Sequence, residues 1–248
     1  MNHLPLAALL AMAIGYMTFD NAIAQVTVEV NQQHYVFTNQ PRLVEVLAPL
    51  ATQQNWYWPA AALYEIDKIE LEKTRQKVLN QLSILAKAQL PKNGPLKLAV
   101  EQLAADITNW TLARRLPIAI DYDLARIKAA ANPKFTHGNY ILHLARRSNR
   151  IHLLGAVNYS QHVAHLPHGD VSNYMAKQSL TNLADKDYVI VIQANGTVVK
   201  APTAYWNKTH QEVMPGSQLF VPFKESLFTP ELSKINQHIV KLALNRVL

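Results

Sequence analysis

Arg115 is the side chain here best suited to holding an anion. It follows an amphipathic stretch and precedes the apolar run Leu116 to Ile120, so it stands where a helix gives way to a strand. A guanidinium there can grip a sugar carboxylate through two parallel N–H donors. It can equally bond helix-end carbonyls or an acid, a purely architectural role. Trp56, Tyr57, Trp58 and Pro59 form an aromatic cluster, and Trp206 precedes Asn207 and Lys208. Flat aromatic faces stack on sugar rings and also pack cores, so Trp58 and Trp206 carry both readings. His162, His165 and His168 recur three apart. Imidazoles at such spacing can ligate zinc or copper, but the run contains Pro167 and lacks a carboxylate to complete a site, so no metal site is assigned. Asp121 and Asp123, about 7 Å apart on an extended chain, invite comparison with a glycosidase pair. Asp-Tyr-Asp is also ordinary turn composition. There is no Ser-His-Asp signature, nucleophile elbow or glycine-rich phosphate loop. The sequence therefore assigns no catalytic residue and no cofactor, and the expectation is a protein that is not an enzyme.

Composition narrows the field further. The chain has 248 residues, 49% hydrophobic and 17% charged, which is enough apolar material for a core. Cysteine is absent. That excludes disulfides, a thiol nucleophile, cysteine metal sites and a lipid-modified N-terminal cysteine. The 24 Lys and Arg against 17 Asp and Glu leave a net charge of +7. The densest basic group is Arg146, Arg147 and Arg150. Acidic polysaccharide is compatible with this charge, and so is plain solubility. No nucleic-acid motif or aromatic-basic platform occurs, so nucleic acid is not expected.

The elements that must position these groups follow from periodicity. Leu4 to Ile14 is an apolar stretch too short for a bilayer span of about twenty residues. Ala22-Ile23-Ala24 has the small-x-small pattern of a signal-peptidase site. Residues 1–24 are read as a secretory signal cleaved before Gln25, leaving a periplasmic product with no membrane span. Val26 to Val30 and His34 to Thr38 alternate as an antiparallel pair, and Pro41 to Ala51 has helical spacing. Ile66 to Leu90 and Leu96 to Leu112, separated by Pro91-Lys92-Asn93-Gly94-Pro95, predict an antiparallel helical hairpin. One apolar stripe closes the hairpin, and any second stripe needs another surface, the neighbouring domain being nearest. Leu116 to Ile120 and Asn139 to Leu144 read as strands. Ile151 to Val157, Asp187 to Ile192, Thr197 to Ala201 and Leu219 to Val221 are further strands. Asp170 caps a short helix, and Asn195-Gly196 and Pro215-Gly216 make turns. His137-Gly138-Asn139-Tyr140-Ile141 echoes Pro215-Gly216-Ser217-Gln218-Leu219, a loose internal repeat. A terminal helix starts near Thr229-Pro230 and puts Leu232, Ile235, Ile239, Leu242 and Arg246 on one face. It either docks on its own protein or offers that face to a membrane or partner.

The class is α+β. Leu153 to Val157, the Asn195-Gly196 hairpin and Pro215 to Pro222 resemble the SLBB type of β-grasp (ubiquitin-like) domain found in outer-membrane polysaccharide exporters. Over the whole chain the likeness is to the GfcC-like capsule-biosynthesis family of Gram-negative bacteria. It is carried by Trp58-Pro59, Arg115-Leu116-Pro117, Leu153-Leu154-Gly155-Ala156-Val157, Trp206-Asn207-Lys208 and Pro215-Gly216-Ser217-Gln218-Leu219. The resemblance implies tandem β-grasp domains at 25–147 and 148–226. The first carries the hairpin insert at about 64–112, and residues 227–248 form a terminal amphipathic helix that packs back on the protein. It also implies a periplasmic, non-enzymatic factor for assembly or export of a group 4 (O-antigen type) capsule, with export-machinery proteins or the polysaccharide as partners. In that family the arginine of the Arg-Leu-Pro pattern lines a central pocket, which maps to Arg115; Arg114 beside it and the His162 to His168 run depart from the pattern. The competing readings are a glycan-binding module and a polysaccharide-modifying enzyme.

Overall fold

Alternation builds the first strands. In β1 (Val26–Val30) the three valines are buried and the two polar residues are half-exposed, the period-two pattern of a strand with one face on a core. The chain reverses at Asn31 and Gln32, both at positive φ, and returns antiparallel as β2 (Gln33–Phe37). Two such residues in sequence make the primed turn that matches strand twist. The helix α1 (Leu43–Ala51) buries Leu43, Val46, Leu47 and Leu50, a helical stripe facing inward. After β3 (Ala62–Glu65) the chain leaves the sheet for two long helices, α2 (Ile69–Ala88) and α3 (Gly94–Asn109). It rejoins as β4 (Arg114–Arg115) beside β3, then forms α4 (Tyr122–Ile127) and β5 (Gly138–His143). The computed structural model describes residues 25–67, 69–88, 94–207, 209–225 and 231–248. The expected signal and the expected helix start at Thr229-Pro230 lie outside these residues.

The second half repeats the plan. Its strands are β6 (Arg150–Gly155), β7 (Gln161–Ala164), β8 (Tyr188–Ile192), β9 (Val198–Pro202) and β10 (Gln218–Val221), with α5 (Val171–Met175) after β7. Both sheets are mixed and five-stranded, ordered β2-β1-β5-β3-β4 and β7-β6-β10-β8-β9. In each, the last strand of the half lies between the first and third, parallel to the first and antiparallel to the third. The echo between 137–141 and 215–219 is thus a positional one: it marks β5 and β10, the central strands. Gly216 takes φ +83 and Ser217 N–H reaches the Met214 carbonyl at 3.1 Å, a turn with proline and glycine at its centre. Asp170 caps α5 by accepting from Asn173 N–H at 3.0 Å, and Asn173 bonds back to the Asp170 N–H.

Two sequence expectations are corrected. Leu116 to Ile120 is not a strand. Leu116 N–H still reaches the Leu63 carbonyl at 2.9 Å, but Pro117 has no N–H to continue the ladder, and the chain runs irregularly to α4. The second hairpin helix does not extend to Leu112: α3 ends at Asn109, before Trp110.

The hairpin's apolar stripe does not serve the sheet it is inserted into. The first core gathers Val26, Val28, Leu43, Leu47, Leu63, Tyr140 and Leu142, all from the first sheet and its own helices. Leu71, Val78, Leu82, Leu96, Val100, Leu103 and Ile107 of the hairpin instead join Ile151, Leu153, Leu154, Val191, Leu219 and Phe220 of the second sheet. The helix α6 (Glu231–Leu244) completes this cluster with Leu232, Ile235, Ile239 and Leu242. It is therefore docked. Its buried Asn236 locks it by accepting from Phe223 N–H at 2.9 Å and donating to the Phe223 carbonyl at 2.7 Å. The cover is needed because Ile151 to Gly155 and all of β10 are buried, as in a sheet covered on both faces. At Gly155 (φ +104) a Cβ would collide with the Val221 carbonyl and the Phe220 ring.

A Leu103→Ala substitution in the hairpin is expected to cost about 2–5 kcal/mol. Amide hydrogen exchange should show the protection loss in β6 and β10, in the other half of the chain, while β1 and β5 keep theirs.

Candidate functional site

Arg115 ends up where the two sheets meet. Its position is set by β4, which pairs Tyr64 with Arg115 and Glu65 with Arg114. The backbone N–H of Arg115 donates to Asn245 Oδ1 at 2.8 Å, and Nη2 donates to the Ala194 carbonyl at 2.7 Å. Its guanidinium carbon lies 5.8 Å from the Tyr64 ring centroid. Ala194 belongs to the hairpin between β8 and β9, so this one side chain bridges the halves. The hairpin loop is three residues long, Ala194 to Gly196, closed by Gln193 N–H to the Thr197 carbonyl at 2.8 Å. Only Gly196 of the Asn-Gly pair takes positive φ (+90), as in a loop whose last residue is left-handed. Asn195 uses its side chain to accept from Thr197 N–H. A Cβ on Gly196 would sit 2.8 Å from Arg115 Nε, so the glycine also makes room for the guanidinium. Arg114 faces away and pairs with Glu65, which leaves Arg115 as the inward cation.

A cleft of about 560 Å³ opens against Arg115, bounded by Trp58, Leu116, Asp121, Gly196 and Leu244. Trp58 and Arg115 are thus brought together, with Trp58 on a 3-10 turn (Trp58–Ala60) and partly packed on the first core. Trp56 is core: its Nε1–H donates to the Leu50 carbonyl at 2.8 Å. Tyr57 carries the Arg147 guanidinium 5.8 Å from its ring centroid. Trp206 is not at this cleft; it stands 77% exposed beside exposed Tyr205. Asp121 caps α4 by accepting from Leu124 N–H at 2.8 Å, and Asp123 pairs with Arg126 at 3.5 Å, so the two carboxylates hold helix α4 and do not face each other as an acid–base pair. The three histidines also go separate ways. His162 stacks on His152 with centroids 4.6 Å apart, His165 Nε2 bonds the Val213 carbonyl at 2.9 Å, and His168 occupies a turn at φ +58. Among the described residues no three His, Asp or Glu converge as a metal site.

Sequence reading missed the neighbours that finish the junction. After α6 the chain turns back across both halves: Ala113 N–H donates to the Asn245 carbonyl at 3.0 Å and Val247 N–H to the Thr111 carbonyl at 2.9 Å. Arg246 lies with its guanidinium carbon 4.9 Å from the Trp110 ring centroid, and its Nη1 donates to His152 Nδ1 at 2.8 Å. Burial, then Arg246, then His162 push the His152 pKa down to about 3, so the ring is a neutral acceptor at neutral pH. The signal for it was present: a histidine inside the apolar run Ile151 to Val157 must be neutral or paired.

Two outcomes follow from this geometry. Gly196→Ala should cost about 1–3 kcal/mol from its left-handed backbone and should displace the Arg115 side chain, readable by denaturation and in a variant structure. The pH dependence comes from His152, whose folded pKa lies below its ordinary 6.5. As pH falls below that ordinary value the unfolded chain takes up a proton that the folded chain refuses. Stability is then fully present above it and is lost towards pH 3, at about 1.4 kcal/mol per pH unit for one proton. Urea unfolding over the acid range should show this slope, and His152→Gln should reduce it by about one proton's worth.

The geometry agrees with what related sequences show. The profile for the GfcC N-terminal capsule-biosynthesis family matches residues 21–147, and that for the GfcC C-terminal family matches residues 159–248. The uncharacterized protein YjbG of Escherichia coli (strain K12) is 28% identical over 230 residues, covering 92% of this chain and 89% of its own. The two profiles meet the chain on either side of the junction that Arg115 bridges, one on each sheet. The chain belongs to the GfcC family of capsule-biosynthesis proteins.

Proposed function

We propose that this protein is a non-enzymatic periplasmic factor in the assembly or export of a capsular or O-antigen-type polysaccharide. Membership of a capsule-biosynthesis family across both halves carries the reading. Each half is read as a β-grasp unit of the SLBB type. The shared strand order, with a central last strand parallel to the first, supports this. The export signal at residues 1–24 supplies the compartment. No described helix is long and apolar enough to cross a membrane, and α6 has its apolar face docked on the second sheet. The protein then works by contact with export-machinery proteins or with the polymer.

The cleft between Trp58 and Arg115 favours one further reading, a glycan-binding role within the same process. Only the Ala194 carbonyl accepts from the Arg115 guanidinium among the described residues, so most of its five donors are available to a sugar. Trp58 supplies a stacking face at the same cleft.

A deletion strain should lose capsule from the cell surface and regain it on complementation, and the protein should fractionate with the periplasm. Unchanged surface capsule in the deletion strain would refute the assembly role. Arg115→Lys keeps the charge and loses the fork; reduced capsule at unchanged thermal stability is the outcome expected of a ligand-holding arginine, whereas full output would leave it architectural.

A further inference from the structure

On the other side of Arg115 lies a second cavity, of about 420 Å³, whose lining has no acidic side chain. Arg115, Arg146, Arg150 and Arg246 all border it, together with His152 and His162. The convergence comes from different elements. Arg150 and His152 stand two apart on β6, so they share a face. His162 is the cross-strand partner of His152 on β7. Arg146 comes from the link between the sheets, and Arg246 from the tail after α6.

Convergence of like charges in a concave site costs free energy that an anion would relieve. Part of the set is already held in place. Arg246 is fixed by Trp110 and by neutral His152, and Arg115 by the Ala194 carbonyl. Arg146 and Arg150 are exposed, and among the described residues Arg146 is tied only to Gln54, at 3.0 Å. Two anchored and two movable guanidinium groups make a clamp. Asp106 on α3 favours the charged forms of Arg246 and His162 but does not border the cavity, whereas Leu248, with its terminal carboxylate, does. These two carboxylates against four guanidinium groups leave a net positive charge at the cavity.

We propose that this cavity binds an oxyanion carried on a saccharide, the carboxylate of a uronic acid or the phosphate of a sugar phosphate. Forked donors suit both. The oxyanion rests on the cavity alone; the saccharide rests on the capsule reading. The site is distinct from the Trp58 cleft, with Arg115 as the shared wall.

Calorimetric titration of the purified protein with methyl glucuronide, glucose 1-phosphate and glucose at one ionic strength tests it. Saturable binding of at least one charged sugar is expected, about tenfold or more tighter than glucose, and the stronger of the two names the anion. Arg146→Gln and Arg150→Gln, both exposed and compatible with folding, should each weaken it by about tenfold, while Lys128→Gln, an equal loss of charge elsewhere, should not. Absence of binding by both charged sugars, equal binding of glucose, or equal weakening by Lys128→Gln would overturn the proposal. If the deletion strain loses capsule and no charged sugar binds, this site fails and the assembly role stands. If charged sugars bind through Arg150 and the deletion strain keeps its capsule, the site stands and the assembly role fails.

Discussion

The second sheet cannot cover itself, and the rest of the architecture answers that need. Its central strand β10 is buried throughout and the neighbouring β6 from Ile151 to Gly155, so both faces require a layer of side chains. The helix in its own connection, α5, spans five residues against nine for α1 in the first half. Such a short helix supplies Val171 and Tyr174 and little more. The missing layer comes from α2 and α3, which the chain lends from the first half, and from α6. The hydrophobic driving force for joining the halves is therefore a core shared between them, far stronger than a polar contact between finished domains.

That sharing also fixes the junction. The hairpin leaves from β3 and returns at β4, so Arg114 and Arg115 sit where the arm rejoins its sheet. The tail after α6 runs beside residues 111–113 and supplies Asn245 to the Arg115 backbone. The β8–β9 turn supplies the Ala194 carbonyl. Strands or turns from both halves thus hold one guanidinium, with a cleft on either side of it. Charge at the junction is tuned by burial: Tyr64 is pushed up and His143 down by desolvation, with Arg115 acting on both.

Local pattern in the sequence was enough for much of this. Alternation in Val26 to Val30 marked a strand, and so did the apolar run from Ile151 to Val157. Asp170 was legible as a cap, and the glycines at 196 and 216 as turns, because each answers a local backbone demand. The strand misread at 116–120 was also a local matter: the apolar run was visible, but Pro117 had to outweigh it. For the hairpin, periodicity named only the nearest surface, the neighbouring domain, and not the strands it covers, since a helical stripe records that it is buried and not against what. The same limit hid the basic cavity. Arg146, Arg150 and His152 are close in sequence, but Arg115, His162 and Arg246 join them only through strand register and the returning tail. Trp206 shows the converse: a motif position in the sequence that the fold leaves on the surface.

The loan of the arm imposes an order on folding. The first sheet can close its own core as soon as β5 is in place, because every member of that core precedes β6. The arm is already made by then, yet its greasy side must wait for about a hundred further residues, through Leu242. Contacts so distant along the chain close slowly. During that interval a half-made chain carries a sticky lever with nothing to rest on, so completion of the distant half is also what makes the nearer one safe from its neighbours.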